Sequence, residues 1–341
     1  MTETPHSTPS STDPAGLVAV TGATGFVGRH LVRELLSRGW RVRGLTRSAD
    51  KAAAVLPAEA IKSGALQIVE GDALSPGVLD RLLSGADACV NLIGLIRETT
   101  GRQTFHRLHT LTSKAVVEAC EAGQVPRLLQ MSALGVRADA PTEYQRTKYE
   151  GEQAVQLSRL DWTIFRPGLI HGPDGEFMKM VQGWCEGKAM PRVMIPYFTR
   201  IAPGWHPPRV PRFEAATVAP VHVQDVAAAF AAALQSPDAI GEIYNLVGAE
   251  ELKFDDLLRT VRDTLPLGRR GLRVVGVPGS LAACKARVAG LMGMGSLLPF
   301  DEGMAIMGQA DSVANTDKAK IDLGFDPKPF TESFKGYAAS M

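Results

Sequence analysis

The sequence predicts an α/β fold: a parallel sheet with helices on both faces, followed by a smaller, mostly helical C-terminal lobe. Three observations carry this. Short apolar β-like runs alternate with helical stretches from residue 17 to about residue 165. The first of those runs leads straight into a glycine-rich turn. The alternation breaks after Arg166. Strands that alternate with helices are joined by crossovers, which make the strands parallel and cover both sheet faces. The chain has 341 residues, 45% of them hydrophobic, enough for a large core. That length suits one domain of about 200 to 250 residues plus a smaller lobe.

Leu17 to Val20 reads as the first strand. Phe26 to Arg38 then has helical periodicity, with Phe26, Val27, Leu31, Val32, Leu35 and Leu36 on one apolar face, and Gly39 ends it. Arg41 to Leu45, Leu66 to Val69 and Ala88 to Ile93 read as strands two to four. Thr104 to Ala122 is the clearest helix between them. Arg127 to Met131 is the fifth strand, and Asp161 to Phe165 the sixth, after a helix around Tyr144 to Ser158. Phe177 to Gly187 is helical again. Residues 191–219 are rich in proline and bulky groups and read as a long irregular insertion, of a kind that often lines or covers a site. A helix at Val223 to Leu234 and a strand at Glu242 to Leu246 return to the sheet. The expected division is a disordered tail over 1–16, a main α/β domain over 17–248 with its insertion near 191–219, and a substrate or partner lobe over 249–341.

The bulk properties exclude more than they identify. A formal net charge of +1 gives no reason to expect a nucleic-acid partner. The cysteines, Cys89, Cys120, Cys185 and Cys284, are widely spaced, with no CxxC and no metal-ligand spacing, as in a reducing compartment. No catalytic metal is expected. The first residues lack a basic start and an apolar stretch, and no uncharged apolar run is long enough to span a bilayer. The chain therefore reads as cytoplasmic, with attachment to the inner face of a membrane left open.

Gly22, Gly25 and Gly28 are spaced GxxGxxG, directly between the first strand and the first helix. The first glycine permits the tight turn, the second lets backbone approach a pyrophosphate, and the third lets the helix pack against the sheet. The helix start offers free N–H groups to phosphates. This is a Rossmann-type dinucleotide site, with Thr24, Phe26 and Val27 part of the turn. Strand two ends Gly44-Leu45-Thr46-Arg47-Ser48, without the acid that binds the ribose 2′-hydroxyl of NAD. Arg47 and Ser48 suit the 2′-phosphate of NADP, Arg43 and Arg29 being alternative cations. NADP(H) is the preferred cofactor, with NAD(H) left open. Asp72, followed by Ala73, is placed to accept from the adenine amino group or to cap a turn. Asn91 to Leu95, with Ile93 and Gly94, would pass under the pyrophosphate and nicotinamide ribose.

Beyond the fifth strand stands Ser132, and twelve residues later Tyr144 opens YxxxK with Lys148. Residues four apart share a helix face. A cationic Lys148 beside Tyr144 would favour the phenolate, and the phenol could exchange a proton with a carbonyl or alcohol. Ser132 would hold the substrate oxygen, and Lys148 could also bind the nicotinamide ribose. His222 reads as a core-edge residue and Asp225 as capping or stabilising the start of the next helix. His106 and His109 read as surface or packing residues, and His171 as a turn residue near the cofactor.

TGATGFVG, Ser132, YQRTK and Phe165-Arg166-Pro167-Gly168 together resemble an extended or atypical short-chain dehydrogenase/reductase over residues 17 to 250. That resemblance implies Ser132, Tyr144 and Lys148 as catalytic residues, and Pro167 and Gly168 near the nicotinamide. NLIGLIRE, TFHRLHTLTSKAVVEAC, WTIFRPGLIHGP and APVHVQDVAAA look like the nucleotide-binding accessory subunit of respiratory complex I and its bacterial relatives. That subunit holds NADPH structurally and its sites often depart from the triad, whereas this chain keeps Tyr144 and Lys148.

The resemblance leaves three functions open. One is an NAD(P)-dependent oxidoreductase acting on an apolar carbonyl or alcohol, or on a quinone-like substrate. Another is a redox-silent NADP(H)-binding protein of a respiratory or membrane assembly. The third is a nucleotide-sugar epimerase or dehydratase. The C-terminal stretch VVGVPGSLAACKARVAGLMGMGSLLPF, interrupted by Lys285 and Arg287, is read as packing over the cleft or lying on a membrane surface. Met292, Met294, Met304 and Met307 line an apolar pocket there or fill a core.

Overall fold

The computed structural model describes residues 16–98, 101, 103–202, 211–292, 298 and 300–341, so the expected tail, but for Gly16, and Met294 lie outside the described residues. In the first half β1 (Leu17–Thr21), α1 (Phe26–Ser37), β2 (Arg41–Thr46), α2 (Ala49–Val55), α3 (Ala58–Ser63), β3 (Leu66–Glu70), α4 (Val78–Leu83) and β4 (Ala88–Asn91) alternate. A π-helical turn (His106–Leu111) then runs into α5 (Thr112–Ala122), followed by β5 (Arg127–Met131), α6 (Glu143–Gln156) and β6 (Asp161–Pro167). β7 (Ile170–His171) and α7 (Glu176–Cys185) lead to β8 (Met194–Ile201), β9 (Phe213–Ala215), β10 (Thr217–Val218) and β11 (Val221–His222). The remainder is α8 (Val223–Ala233), β12 (Glu242–Leu246), β13 (Leu252–Lys253), α9 (Phe254–Thr264), β14 (Arg273–Pro278), α10 (Gly279–Leu291), α11 (Glu302–Met307), α12 (Asp317–Leu323) and α13 (Phe330–Tyr337).

Seven of these strands form one parallel sheet, in the order β12-β6-β5-β4-β1-β2-β3. The order reverses between β1 and β4, which opens a crevice at their carboxyl ends. Successive residues of each strand point to opposite faces, so both faces are apolar. Val18, Val20, Val90, Leu129 and Phe165 pack with α1 and α8 on one side. Leu17, Ala19, Cys89, Leu128 and Ile164 pack with α4 and α5 on the other. This is the expected α/β architecture with helices on both faces.

The structure departs from the sequence reading in identifiable places. β4 ends at Asn91, because the chain turns off where Leu92 N–H bonds to Thr21 Oγ1 at 3.2 Å. Residues 191–219 are not wholly irregular: β8, β9 and β10 lie there, with 203–210 outside the described residues. β8 is joined by β14 in parallel, so the lobe includes a sheet. Val274, Val275 and Val277 explain β14, since β-branched residues suit a pleated strand. A separate core gathers Met178, Val181, Ile195, Leu257, Val261, Phe330 and Phe334 under this sheet.

α12 does not stay with that lobe. Ala319 and Phe325 join the main core beside α8 and β12, and Tyr244 of β12 donates to Asp322 at 2.8 Å. α10 buries Ala282, Ala283 and Ala286 and exposes Leu281, Val288 and Met292. Among the described residues, no helix is long and apolar enough to cross a membrane.

Candidate cofactor and active site

The glycine turn is built so that only glycine fits. Gly22 has φ +67°, and a Cβ there would lie 3.2 Å from the Leu92 carbonyl carbon. A Cβ on Gly28 would stand 2.1 Å from the Gly22 oxygen, a distance no side chain tolerates. α1 therefore starts directly against the end of β1. Below the turn, Thr21 donates to Asn91 at 2.6 Å, and Asn91 donates to Gln130 at 2.8 Å. This buried ladder ties β1, β4 and β5 together beneath the crevice.

A cavity of about 380 Å³ opens at the turn. Gly22, Thr24, Gly25, Arg47, Asp72, Ala73, Ile93 and Gly94 line it, all singled out from the sequence. Lys51 lines it too, one helical turn beyond Arg47 and unanticipated. Ser48 is used differently from the expectation: its side chain accepts from Lys51 N–H at 3.2 Å and caps α2. Asp72 accepts from Leu74 N–H at 2.9 Å and pairs with Arg107 at 3.1 Å. Burial alone would raise its pKa, yet these partners hold it below the ordinary carboxylate value. Phe26 turns its ring onto Gly172 and Gly175, and Val27 is buried in the core. Arg43 is spent on Gln67 and the carbonyls at the end of α4, and Arg29 pairs with Asp174. The glycine cradle and the two cations fit the phosphates of a dinucleotide.

A second cavity, about 750 Å³, is lined by Ile96, Phe105 and Tyr144 on one side and by Ala286, Phe300, Ile306 and Met307 of the lobe on the other. Arg97, Glu98, Arg146, Asp301 and Glu302 add charge to its wall. The lobe thus packs over this cavity through α10 and α11. Of the other described methionines, Met292 is exposed.

Tyr144 comes from the first turn of α6. Thr142 caps that helix, accepting from Gln145 N–H at 3.3 Å, and Gln145 reaches back to the Gly135 carbonyl at 3.2 Å. Lys148, one turn on, is buried and donates to the Met131 carbonyl at 3.0 Å. Ser132 follows Met131; its backbone N–H donates to Phe165 O at 2.7 Å. Its Oγ is buried without a hydrogen-bond partner, an orphaned group suited to an incoming oxygen. Gly94 stands close by: a Cβ there would be 2.9 Å from Lys148 Nζ.

The electrostatics correct one expectation. Lys148 does not bring Tyr144 toward the phenolate; burial pushes the phenol up to about 12. Burial also pushes the Lys148 amine down to about 8, partly opposed by Glu152. Glu152, four residues further along α6, is held by Arg166 through bonds of 2.8 and 2.5 Å.

Pro167 and Gly168 close β6. Leu134 N–H bonds to Pro167 O at 2.9 Å, which brings the loop after Ser132 against them. His171 is not a turn residue: it is a buried strand residue paired with His222 across β7 and β11, 2.8 Å from the Tyr337 hydroxyl. His222 sits at the core edge and itself caps α8, accepting from Gln224 N–H at 3.4 Å, while Asp225 is not the cap but the acid of the first turn, where a negative charge favours the helix start. His106 is exposed near Glu150. His109 is buried against Tyr144. Among the described residues no cluster of three or more His, Cys, Asp or Glu could hold a metal.

A family described as NAD(P)H-binding matches residues 22–184. The chain has a Rossmann-type fold, and residues 22–184 of it match that family. It is 32% identical over 228 residues to the ceramide reductase of Caulobacter vibrioides (strain NA1000 / CB15N), covering 67% of this chain and 63% of that one. It is 28% identical over 274 residues to mitochondrial NADH dehydrogenase (ubiquinone) 1 alpha subcomplex subunit 9 of Arabidopsis thaliana, covering 80% of this chain and 63% of that one. The chain thus spans less than two thirds of the length of either curated relative. Among solved structures, gox2253 superposes with a TM-score of 0.68 at 24% identity, covering 94% of this chain and 96% of that one. The NADPH-dependent quinone oxidoreductase QOR2 from Escherichia coli, complexed with NADPH, gives 0.66 at 17%, covering 94% and 99%. These likenesses extend the Rossmann fold through the C-terminal lobe.

Proposed function

We propose that this Rossmann-fold protein is an NADP(H)-dependent reductase that transfers hydride to the carbonyl of a long apolar substrate, ceramide-like in its chemistry. One observation carries the reading: the dinucleotide cavity and the large apolar-walled cavity lie on either side of one short stretch, Gly94 to Ile96, with Tyr144 lining the larger. Bound NADPH would supply the hydride. Gly22, Gly25 and the start of α1 would hold its phosphates, and Arg47 with Lys51 its 2′-phosphate. Tyr144, kept protonated by burial, would donate its phenolic proton to the carbonyl oxygen as negative charge develops there. Ser132 Oγ would hydrogen-bond the same oxygen, and Lys148 would stabilise the phenolate left behind. The ceramide reductase of Caulobacter vibrioides supports the substrate class, as do Ile96, Phe105, Phe300, Ile306 and Met307 in the cavity wall. That wall suits a chain of methylenes better than the sugar nucleotide of an epimerase.

A second reading, a redox-silent NADP(H)-binding protein, has its own support. The phenol is not primed as a base, and subunits of NADH dehydrogenase are among the relatives. The deciding experiment follows NADPH oxidation by the full chain with long-chain ketones and N-acyl long-chain amino-ketones. Turnover is expected, and Tyr144→Phe should lower kcat about 100-fold or more. Turnover that survives in Tyr144→Phe would remove the phenol as proton donor; none with any carbonyl would favour the silent reading.

A further inference from the structure

One buried side chain ties the wall between the two cavities to α6. His109 lies in the π-helical turn before α5 and is 1% exposed. Its Nδ1 is 3.0 Å from Thr147 Oγ1, the residue before Lys148. Its Nε2 is 3.1 Å from Leu95 O and 3.3 Å from Leu95 N. Leu95 stands between Gly94, which lines the cofactor cavity, and Ile96, which lines the large one. The imidazole also meets the Tyr144 ring edge-on, with centroids 5.2 Å apart and planes at 89°. Phe105 stacks on the imidazole at 5.4 Å and meets Tyr144 edge-on at 5.7 Å.

We propose that His109 is a positioning residue: it ties Leu95 to α6 and fixes where the Tyr144 phenol stands against the Gly94–Ile96 wall. The proposal rests on the reading of Tyr144 as proton donor. Neutral imidazole has one donor and one acceptor, and both of its nitrogens are engaged here, one on Leu95 of the wall and one on Thr147 of α6. Burial, reinforced by the Lys148 charge, pushes the ring pKa down to about 2, so the imidazole stays neutral and transfers no proton. Its effect is geometric. A donor displaced by about 1 Å can cost on the order of a hundredfold in rate, and edge-on aromatic contacts restrain a ring better than aliphatic ones.

The test uses the full chain with His109→Ala and His109→Gln. Nitration of each tyrosine by tetranitromethane is mapped by peptide mass spectrometry, NADPH affinity is read by fluorescence, and kcat and KM are measured with the long-chain carbonyl probes. His109→Ala should raise nitration of Tyr144 about threefold or more, with Tyr149, Tyr197, Tyr244 and Tyr337 unchanged. It should lower kcat about tenfold with KM little altered, and His109→Gln, which keeps a donor and an acceptor, should recover much of the loss. Tyr144 nitration at the wild-type level in folded His109→Ala overturns the proposal, and so does an equal rise at all five tyrosines. Should His109→Ala not fold, Thr147→Val, which removes the Nδ1 partner and the hydroxyl's bonds to the Glu143 and Tyr144 carbonyls while leaving the imidazole in place, carries the same comparison. A selective rise at Tyr144 without turnover by the wild type keeps the positioning role and defeats the reductase reading.

Discussion

Arg47 is where a single side chain decides most. It and Lys51 line the cofactor cavity, β2 ends without an acid, and Asp72, the carboxylate that lines the same cavity, is already engaged by Leu74 and Arg107. A charge-assisted contact is worth about 1.5 to 3 kcal/mol, or roughly 10- to 100-fold in affinity. Arg47→Ala should weaken NADPH by about that factor and leave NADH within about twofold, as measured by fluorescence titration. An equal loss for both cofactors would show that Arg47 does not read the 2′-phosphate. The residues that spacing exposes, Gly22, Gly25, Tyr144 and Lys148, are legible in the sequence because a turn or a single helix sets their geometry. His109 is not. Its partners Thr147 and Leu95 lie 38 and 14 residues away, and only the packing of two helices on one loop unites them. The state of the Tyr144 phenol is illegible for a similar reason: a YxxxK pattern shows a cation one turn away but not the burial that raises the phenol's pKa.

Among the elements, α6 bears the most. It presents Tyr144, Thr147 and Lys148, and anchors itself to β6 through Glu152 and Arg166. Glu152 is wholly buried, while Arg166 keeps a quarter of its side chain exposed. Removing one partner of such a pair leaves a buried carboxylate uncompensated, at a cost of about 3 to 5 kcal/mol. Arg166→Met should therefore lower the unfolding free energy by about that much in urea; a loss under about 1 kcal/mol would mean that water reaches Glu152. The strands and helices of the sheet were readable because apolar alternation and glycine stops coincide. The pairing of β8 with β14 was not. Pro196 interrupts the first run, Gly276 the second, and their partnership spans a long separation in sequence.

For the whole molecule, the two cores are not two independent parts of the chain. α12 leaves the smaller lobe to cover α8 and β12, and α13 then returns to the smaller core with Phe330 and Phe334. Deleting residues 316–341 removes no residue that lines either cavity. It does uncover the main core at Ala319 and Phe325, and it strips Tyr244 of its Asp322 partner. The deleted chain should lose cooperative thermal unfolding and NADPH binding together; retention of both would show that the sheet closes without α12. The α12 return has a further consequence for biosynthesis. The ribosome makes the glycine turn well before α12, so a nascent chain carries that turn long before the sheet beside β12 is sealed. A prematurely terminated chain would keep that apolar face open and be marked for proteolysis, so the dinucleotide would be held only by chains translated through α12.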